Sequence, residues 1–269
     1  MQRSEPFLNA DERLDEVNEK IRLIQKRQGL TFGTDAYLLA AFLRKSPKAT
    51  AVELGGGSGI VSLLAVSKGK AARVTAVEVQ PEFAGLIRRN AELNGLSDRI
   101  VPLCGDIRRI SAKDFSDPVD LVFSNPPYLK TGAGRSNLHP EKEVARHEIC
   151  GTIFDFCDCA GRLLQTGGRF VTVWRPDRLT DLFTALRNSR LEPKRILFVH
   201  ADPETEPCMI LTEAIKDATA SLRVLPPLFL YESAICSPRQ RTAQISRIYE
   251  TCSFPTYEKT NKSIKENQP

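Results

Sequence analysis

The chain reads as an α/β protein: a doubly wound, mostly parallel sheet of seven strands, helices on both faces, and an antiparallel last strand. Three observations predict it. From residue 49 onward, short apolar runs alternate with segments of helical period, the rhythm of strand–helix–strand units. A glycine-rich turn, Gly55-Gly56-Gly57-Ser58-Gly59, follows the first of those runs and opens the next helix. The last two runs, residues 195–200 and 209–215, are joined by A-D-P-E-T-E-P-C, which leaves no room for a crossover helix. Those two strands must be antiparallel neighbours.

In chain order, residues 1–19 are polar with clustered acids and read as a surface strap or as partly disordered. Residues 20–27, K-I-R-L-I-Q-K-R, alternate basic and apolar side chains as a half-exposed strand would. Lys20 and Arg22 share one face, with Lys26 and Arg27 in the turn beyond. Such a strand is either a solvated edge blunted by charge or a nucleic-acid contact. Thr34-Asp35 stands in helix-cap position before an apolar helix at 36–43. Strands follow at 49–54, 73–79, 100–103 and 119–123, with helices at 60–68 and 81–94; the second helix has Pro81 near its start and Gly95 just past its end. A helix at 152–164 closed by Gly167-Gly168, a strand at 169–174 and a helix at 179–188 lead to the antiparallel pair. The tail holds an apolar run at 224–231, a helix-like stretch to residue 249 and a polar end that reads as disordered. The chain thus divides into an N-terminal extension with its basic strand (1–33), a main domain (34–235), and a C-terminal helix and tail (236–269).

Composition excludes several classes. At 269 residues the chain can bury one full core, and 41% apolar with 26% charged content is that of a soluble globular protein. No apolar run approaches the roughly 18 residues that a membrane span needs. The N-terminus, M-Q-R-S-E-P-F-L, lacks a signal-peptide core, so a cytoplasmic location and no membrane partner are expected. The seven cysteines are odd in number and none pairs as C-x-x-C, which suits buried free thiols. With only three histidines besides, no metal site is expected. A formal charge of +5 permits a nucleic-acid partner without arguing for one. The sequence does not fix an oligomeric state, and a monomer is the favoured expectation.

The most informative stretch is residues 119–128, V-D-L-V-F-S-N-P-P-Y. A buried strand stops at Asn125-Pro126-Pro127-Tyr128, because two prolines cannot continue a ladder and hold the chain extended. An amide, a proline carbonyl and an aromatic ring make a poor nucleophile or metal site. They make a good clamp for a flat group bearing an NH2, and Asn125, Pro126, Pro127 and Tyr128 are the catalytic candidates.

Ligand-binding candidates precede the clamp at strand ends, where open α/β sheets bind ligands. Gly55, Gly57 and Gly59 let backbone N–H groups approach a ligand, and the helix N-terminus behind them favours negative charge. The spacing is not the dinucleotide fingerprint, which would need glycine where Ile60 stands. Glu53, just before the glycines, would repel a pyrophosphate but suits a cationic ligand. Glu78 ends the second strand, where an acid holds ribose hydroxyls. After the third, Gly105-Asp106 sets a carboxylate where it could accept from an adenine amino group.

With E-x-G-x-G-x-G at 53–59, the acid at 78, G-D at 105–106 and N-P-P-Y at 125–128, the chain resembles the class I S-adenosylmethionine-dependent methyltransferases, which have a Rossmann-like fold. The resemblance spans about residues 34–216. It implies S-adenosylmethionine as cofactor, with Glu53 and the glycines around its methionine part, Glu78 on the ribose, Asp106 at the adenine and Asn125 touching the cofactor as well as the acceptor. It also implies a chemistry for the clamp. An exocyclic amine is a weak nucleophile because its lone pair is conjugated; accepting both N–H bonds, through Asn125 and the Pro126 carbonyl, pulls that nitrogen toward tetrahedral geometry. Tyr128 would stack on the acceptor ring.

In the wider family N-P-P-Y accompanies methylation of adenine N6, cytosine N4 or a glutamine amide. Gly33-Thr34-Asp35-Ala36-Tyr37-Leu38-Leu39 resembles the G-T-D-x-x-L-L segment of bacterial tRNA1(Val) adenine-N6 methyltransferases, as does the tail segment at 225–231. By that resemblance Thr34 and Asp35 close over the cofactor's methionine end; a plain helix cap is the alternative for Thr34. The implied partner is tRNA, methylated at an anticodon-loop adenine. Two other readings stay open: a protein glutamine methyltransferase, against which only about 50 residues precede the glycine loop, too few for a helical substrate domain, and an RNA-interaction protein that binds cofactor without turnover. Residues 129–147 form a polar loop beside the clamp whose Lys130, Arg135, Lys142 and Arg146 could track phosphates, or which could be a simple lid.

Overall fold

The computed structural model describes residues 6–28, 32–127, 151–233 and 239–255. Strands β1 (Glu12–Glu16) and β2 (Arg22–Lys26) precede helix α1 (Thr34–Phe42). Then β3 (Thr50–Leu54), α2 (Ile60–Ser67), β4 (Arg73–Glu78), α3 (Pro81–Leu93), β5 (Ile100–Cys104) and β6 (Val119–Ser124) alternate. After α4 (Ile153–Leu163) come β7 (Leu164–Trp174), α5 (Leu179–Asn188), β8 (Leu191–His200) and β9 (Pro207–Lys216). Two short strands, β10 (Arg223–Val224) and β11 (Leu228–Phe229), and helix α6 (Ala243–Thr251) end the described chain.

The main sheet runs β10-β8-β9-β7-β6-β3-β4-β5, with β11 also paired to β8. From β5 to β7 every pairing is parallel, and β9 lies antiparallel between β7 and β8. The predicted mostly parallel sheet with an antiparallel last strand is what forms. All seven expected strands are present, and β10 and β11 add to the outer edge as two parallel pieces. Alternation along the central strands fills both faces: Ala51, Leu121 and Phe123 meet α1, α2 and α6, whereas Val52, Leu54 and Val122 meet α4 and α5. Among the described residues no helix is long and apolar enough to cross a membrane.

Two elements differ from expectation. Gly167-Gly168 does not close a helix: α4 ends at Leu163 and β7 begins at once. Gly167, with φ 81°, instead lies where the β6–β7 register slips between Val119↔Leu164 and Leu121↔Arg169, a bulge that only a left-handed residue turns cheaply.

The second difference is the N-terminus. Residues read as a strap form β1, and β2 is no half-exposed edge: Ile21, Leu23, Ile24, Gln25 and Lys26 are all buried. Helix α3 and the residue after it explain why. Asn90 accepts from the Ile24 N–H (2.7 Å) and donates to its carbonyl (2.8 Å); Asn94 does the same for Arg22 at 3.0 and 2.8 Å. Two amides four residues apart thus stand in for a partner strand. The Lys26 ammonium is held by Asp11 (2.7 Å) and Glu82, so that charge is spent within the fold, whereas Lys20 and Arg27 are exposed. Asn90→Ala strands the buried Ile24 amide, and equilibrium denaturation should show a loss of about 1–3 kcal/mol.

Candidate active site

The glycine turn owes its shape to backbone geometry: Gly55, Gly57 and Gly59 have φ of 73°, 54° and 82°. Gly56 is glycine for room, since a Cβ there would lie 2.8 Å from Ile87 Cδ1. The turn is not the anion cradle that its composition suggests. The Gly55 and Gly56 N–H groups bond the Val77 carbonyl at 2.9 and 3.0 Å, and the Gly57 N–H donates to Glu78 at 3.0 Å. The N-terminus of α2 is taken by one of the chain's own carboxyl groups: Glu53 accepts from the Ser62 N–H (3.1 Å) and from the Ser62 hydroxyl.

Beside this turn lies an open-mouthed cleft with a cavity volume of about 160 Å³. Glu53, Glu78, Asp106, Asn125 and Pro127 line it together with Gly55, Gly56 and Gly57, so the strand-end acids converge with two of the clamp residues, whereas Gly59 and Pro126 do not line it. Each acid is already oriented. Glu78 takes the Gly57 N–H on one oxygen and the Gln80 N–H (3.0 Å) on the other, leaving lone pairs on both for a hydroxyl. Asp106 is gripped by Arg108, whose guanidinium and backbone N–H hold its carboxyl below the usual range. Glu53 is buried, and burial pushes its carboxyl up to about 8, with Glu78's charge adding to the rise.

The clamp strand ends as expected. Ser124 donates to the Leu54 carbonyl (2.7 Å), setting the exit of β6 against that of β3, and Pro126 is buried while Pro127 is exposed. Asn125 donates through Nδ2 to Asp35 at 3.3 Å. Asp35 therefore meets the clamp, and neither it nor Thr34 lines the cleft. Thr34 is not the helix cap: Gly33 holds that position, and the Thr34 hydroxyl accepts from Tyr249 on α6 (3.1 Å). Tyr128 and the loop at 129–147, with Lys130, Arg135, Lys142 and Arg146, lie outside the described residues.

Sequence reasoning missed the apolar walls of the cleft: Phe32, Val77, Ile107 and Phe156. Phe156 sits on the inward face of α4, where nothing in the pattern separates a ligand wall from ordinary core. Phe32, an aromatic between glycines in G-L-T-F-G, carried the better signal. Among the described residues no group of three or more His, Cys, Asp or Glu side chains could hold a metal ion.

A doubly wound sheet with β9 inserted antiparallel, an acid-lined cleft at its glycine turn and N-P-P at the end of β6 define a class I S-adenosylmethionine-dependent methyltransferase. Solved structures agree on the fold: a predicted O-methyltransferase from Agrobacterium tumefaciens superimposes with a TM-score of 0.65 at 24% identity, over 82% of this chain and 98% of that one. P. horikoshii TYW2 in complex with MeSAdo gives 0.54 at 16%, over 79% and 74%. The TRM5/TYW2 methyltransferase domain family matches residues 43–130. A tRNA1(Val) (adenine(37)-N6)-methyltransferase from Porphyromonas gingivalis is 34% identical over 190 residues, 67% of this chain and 72% of that protein. One of the same name from Bacteroides fragilis is 30% identical over 176 residues, 65% and 73%. The chain belongs to the tRNA1(Val) (adenine(37)-N6)-methyltransferase family.

Proposed function

We propose that the chain methylates the exocyclic N6 of an anticodon-loop adenine in tRNA, as a cytoplasmic, monomeric, RNA-binding enzyme whose catalytic unit is residues 34–235. The observation that carries this reading is the convergence of Asn125 and Pro127, which flank Pro126, with three acids and apolar walls in one cleft. The donor set fits the cofactor: acids rather than basic groups suit a cation, and Phe156 and Ile107 offer faces to a flat ring. Glu53 would face the methionine part, Glu78 the ribose and Asp106 the adenine. S-adenosylmethionine supplies a methyl group on a sulfonium, already activated for displacement.

The chain's own work is placement. The Asn125 carbonyl oxygen and the Pro126 carbonyl accept the two N–H bonds of the adenine amine and draw its lone pair out of conjugation. The positive charge that grows on that nitrogen is stabilised by the same two acceptors. Tyr128 stacks on the base, and an anticodon-loop adenine, already partly unstacked, turns into the site for a few kcal/mol. The test uses isotope-labelled S-adenosylmethionine with unmodified total tRNA and a release factor in parallel. Label in N6-methyladenosine is the expected result; label in methylglutamine would overturn the reading.

Glu53 adds a pH signature. Its proton must leave before the carboxylate can meet a cation, so cofactor affinity should rise as pH climbs toward 8. Between pH 6 and 7 the dissociation constant should fall by up to about tenfold. Calorimetry on Glu53→Gln should show a flat profile and weaker binding at pH 7.5.

A further inference from the structure

We infer that Asp35 is a positioning residue for the methyl-transfer clamp: its carboxylate takes the Asn125 amide N–H and so fixes which end of that amide faces the acceptor. The inference rests on the function proposed above and gives Asp35 a role other than holding the cofactor. An asparagine amide presents an acceptor at one end and a donor at the other, and catalysis needs the acceptor toward the adenine amine. A carboxylate only accepts, so the 3.3 Å contact from Asn125 Nδ2 selects one orientation; the flipped amide would set two oxygens against each other.

The neighbourhood is built to keep that carboxylate in place. Gly33 has an ordinary φ of −126°, so its backbone does not call for glycine. A Cβ on Gly33 would lie 2.8 Å from Asp35 Oδ1, so a side chain there would make the carboxylate shift. The first turn of α1 is pinned from outside by α6. Tyr249 donates to the Thr34 hydroxyl at 3.1 Å and stacks on Tyr37 at 4.6 Å between centroids, and the Arg241 guanidinium lies 4.6 Å from the Tyr249 ring centroid. The C-terminal helix therefore buttresses the residue that orients the clamp, and G-T-D becomes a unit: room, anchor and carboxylate.

The test is a double-mutant cycle on the full chain, with tRNA turnover and cofactor binding measured separately. Asp35→Ala should lower kcat at saturating cofactor by about 10–100-fold with the cofactor dissociation constant changed no more than about twofold. Asp35→Asn should recover only part of the activity, because its amide can accept from Asn125 but can also turn to donate to it, and so no longer selects one orientation. In an Asn125→Ala background, Asp35→Ala should cost nothing further. Gly33→Ala, which displaces the carboxylate without removing it, should track Asp35→Ala and serves if that variant folds poorly. A raised cofactor dissociation constant with kcat unchanged, or losses that multiply in the double variant, would assign Asp35 to cofactor binding and overturn the inference. Failure of the functional reading looks different: the wild-type chain would then label release-factor glutamine, and the same cycle is read on that acceptor.

Discussion

Asn125→Ala is expected to lower kcat by about a thousandfold while cofactor still binds. The size follows from what the side chain does. In the proposed clamp its oxygen is one of two acceptors on a nitrogen that becomes cationic only as the methyl group arrives, so its contribution is concentrated in the transition state and appears in kcat rather than KM. Its nitrogen is committed to Asp35. The residues proposed to hold the cofactor, Glu53, Glu78, Asp106 and the apolar walls, all lie on other elements. Single-turnover kinetics alongside calorimetry separates the two quantities. Intact turnover with weakened cofactor binding would move Asn125 from the clamp to the cofactor site. Asn125→Asp should be as inactive as alanine: it sets a second carboxylate against Asp35, and one of the two must take a proton or swing away.

Where periodicity and turn chemistry are local, the sequence was legible. Strands β3, β4, β5 and β6 lie within a residue of their expected spans, because buried parallel strands read as continuous apolar runs bounded by glycine and proline, whereas β7 starts at Leu164, before the glycine pair that reads as a helix stop. The antiparallel placement of β9 followed from loop length alone. The acids of the site were legible because each ends a strand in a fold whose ligand end is fixed by topology. What escaped was long-range. The burial of β2 depends on Asn90 and Asn94, some 70 residues downstream in an ordinary helical pattern, and no alternation within residues 20–27 encodes it. The glycine turn was over-read: its composition says that backbone can approach a ligand, but whether its N–H groups are available depended on Val77 and Glu78 of the neighbouring strand. Asp35 was picked out but given to the cofactor, since its contact with Asn125 spans 90 residues. Sequence marks which residues are unusual; the partner that gives each its role is a tertiary fact.

The largest expected loss of stability comes from a residue that takes no part in catalysis. Glu213 on β9 is fully buried and shared by three arginines. Arg44 grips it at 2.6 and 3.1 Å, Arg195 at 2.9 and 3.1 Å, and Arg169 lies at 4.0 Å. Burial holds the Arg169 and Arg195 guanidiniums below their usual range, and the Glu213 charge is what offsets that cost. Arg195 also sits 4.3 Å over the Phe42 ring, so it cannot leave for water without unpacking α1. Glu213→Gln keeps the shape but leaves these cations without a counter-charge, and should cost about 3 kcal/mol, or about 2–4 °C in Tm for each kcal/mol lost. Two further measurements decide whether charge is the cause. Raising salt should restore part of the variant's stability by screening the mutual repulsion, where the wild type changes little. Removing the surplus should help as well: Arg44 is half exposed, so Glu213→Gln with Arg44→Met should be more stable than Glu213→Gln alone. If neither recovers anything, the loss lies in hydrogen-bond geometry rather than in charge. Glu213 pairs with Val171, Val171 with Phe123 and Phe123 with Glu53, so the cluster lies three strands, roughly 14 Å, across the sheet from the nearest acid of the cleft, and a well-folded Glu213→Gln fraction should bind cofactor as the wild type does.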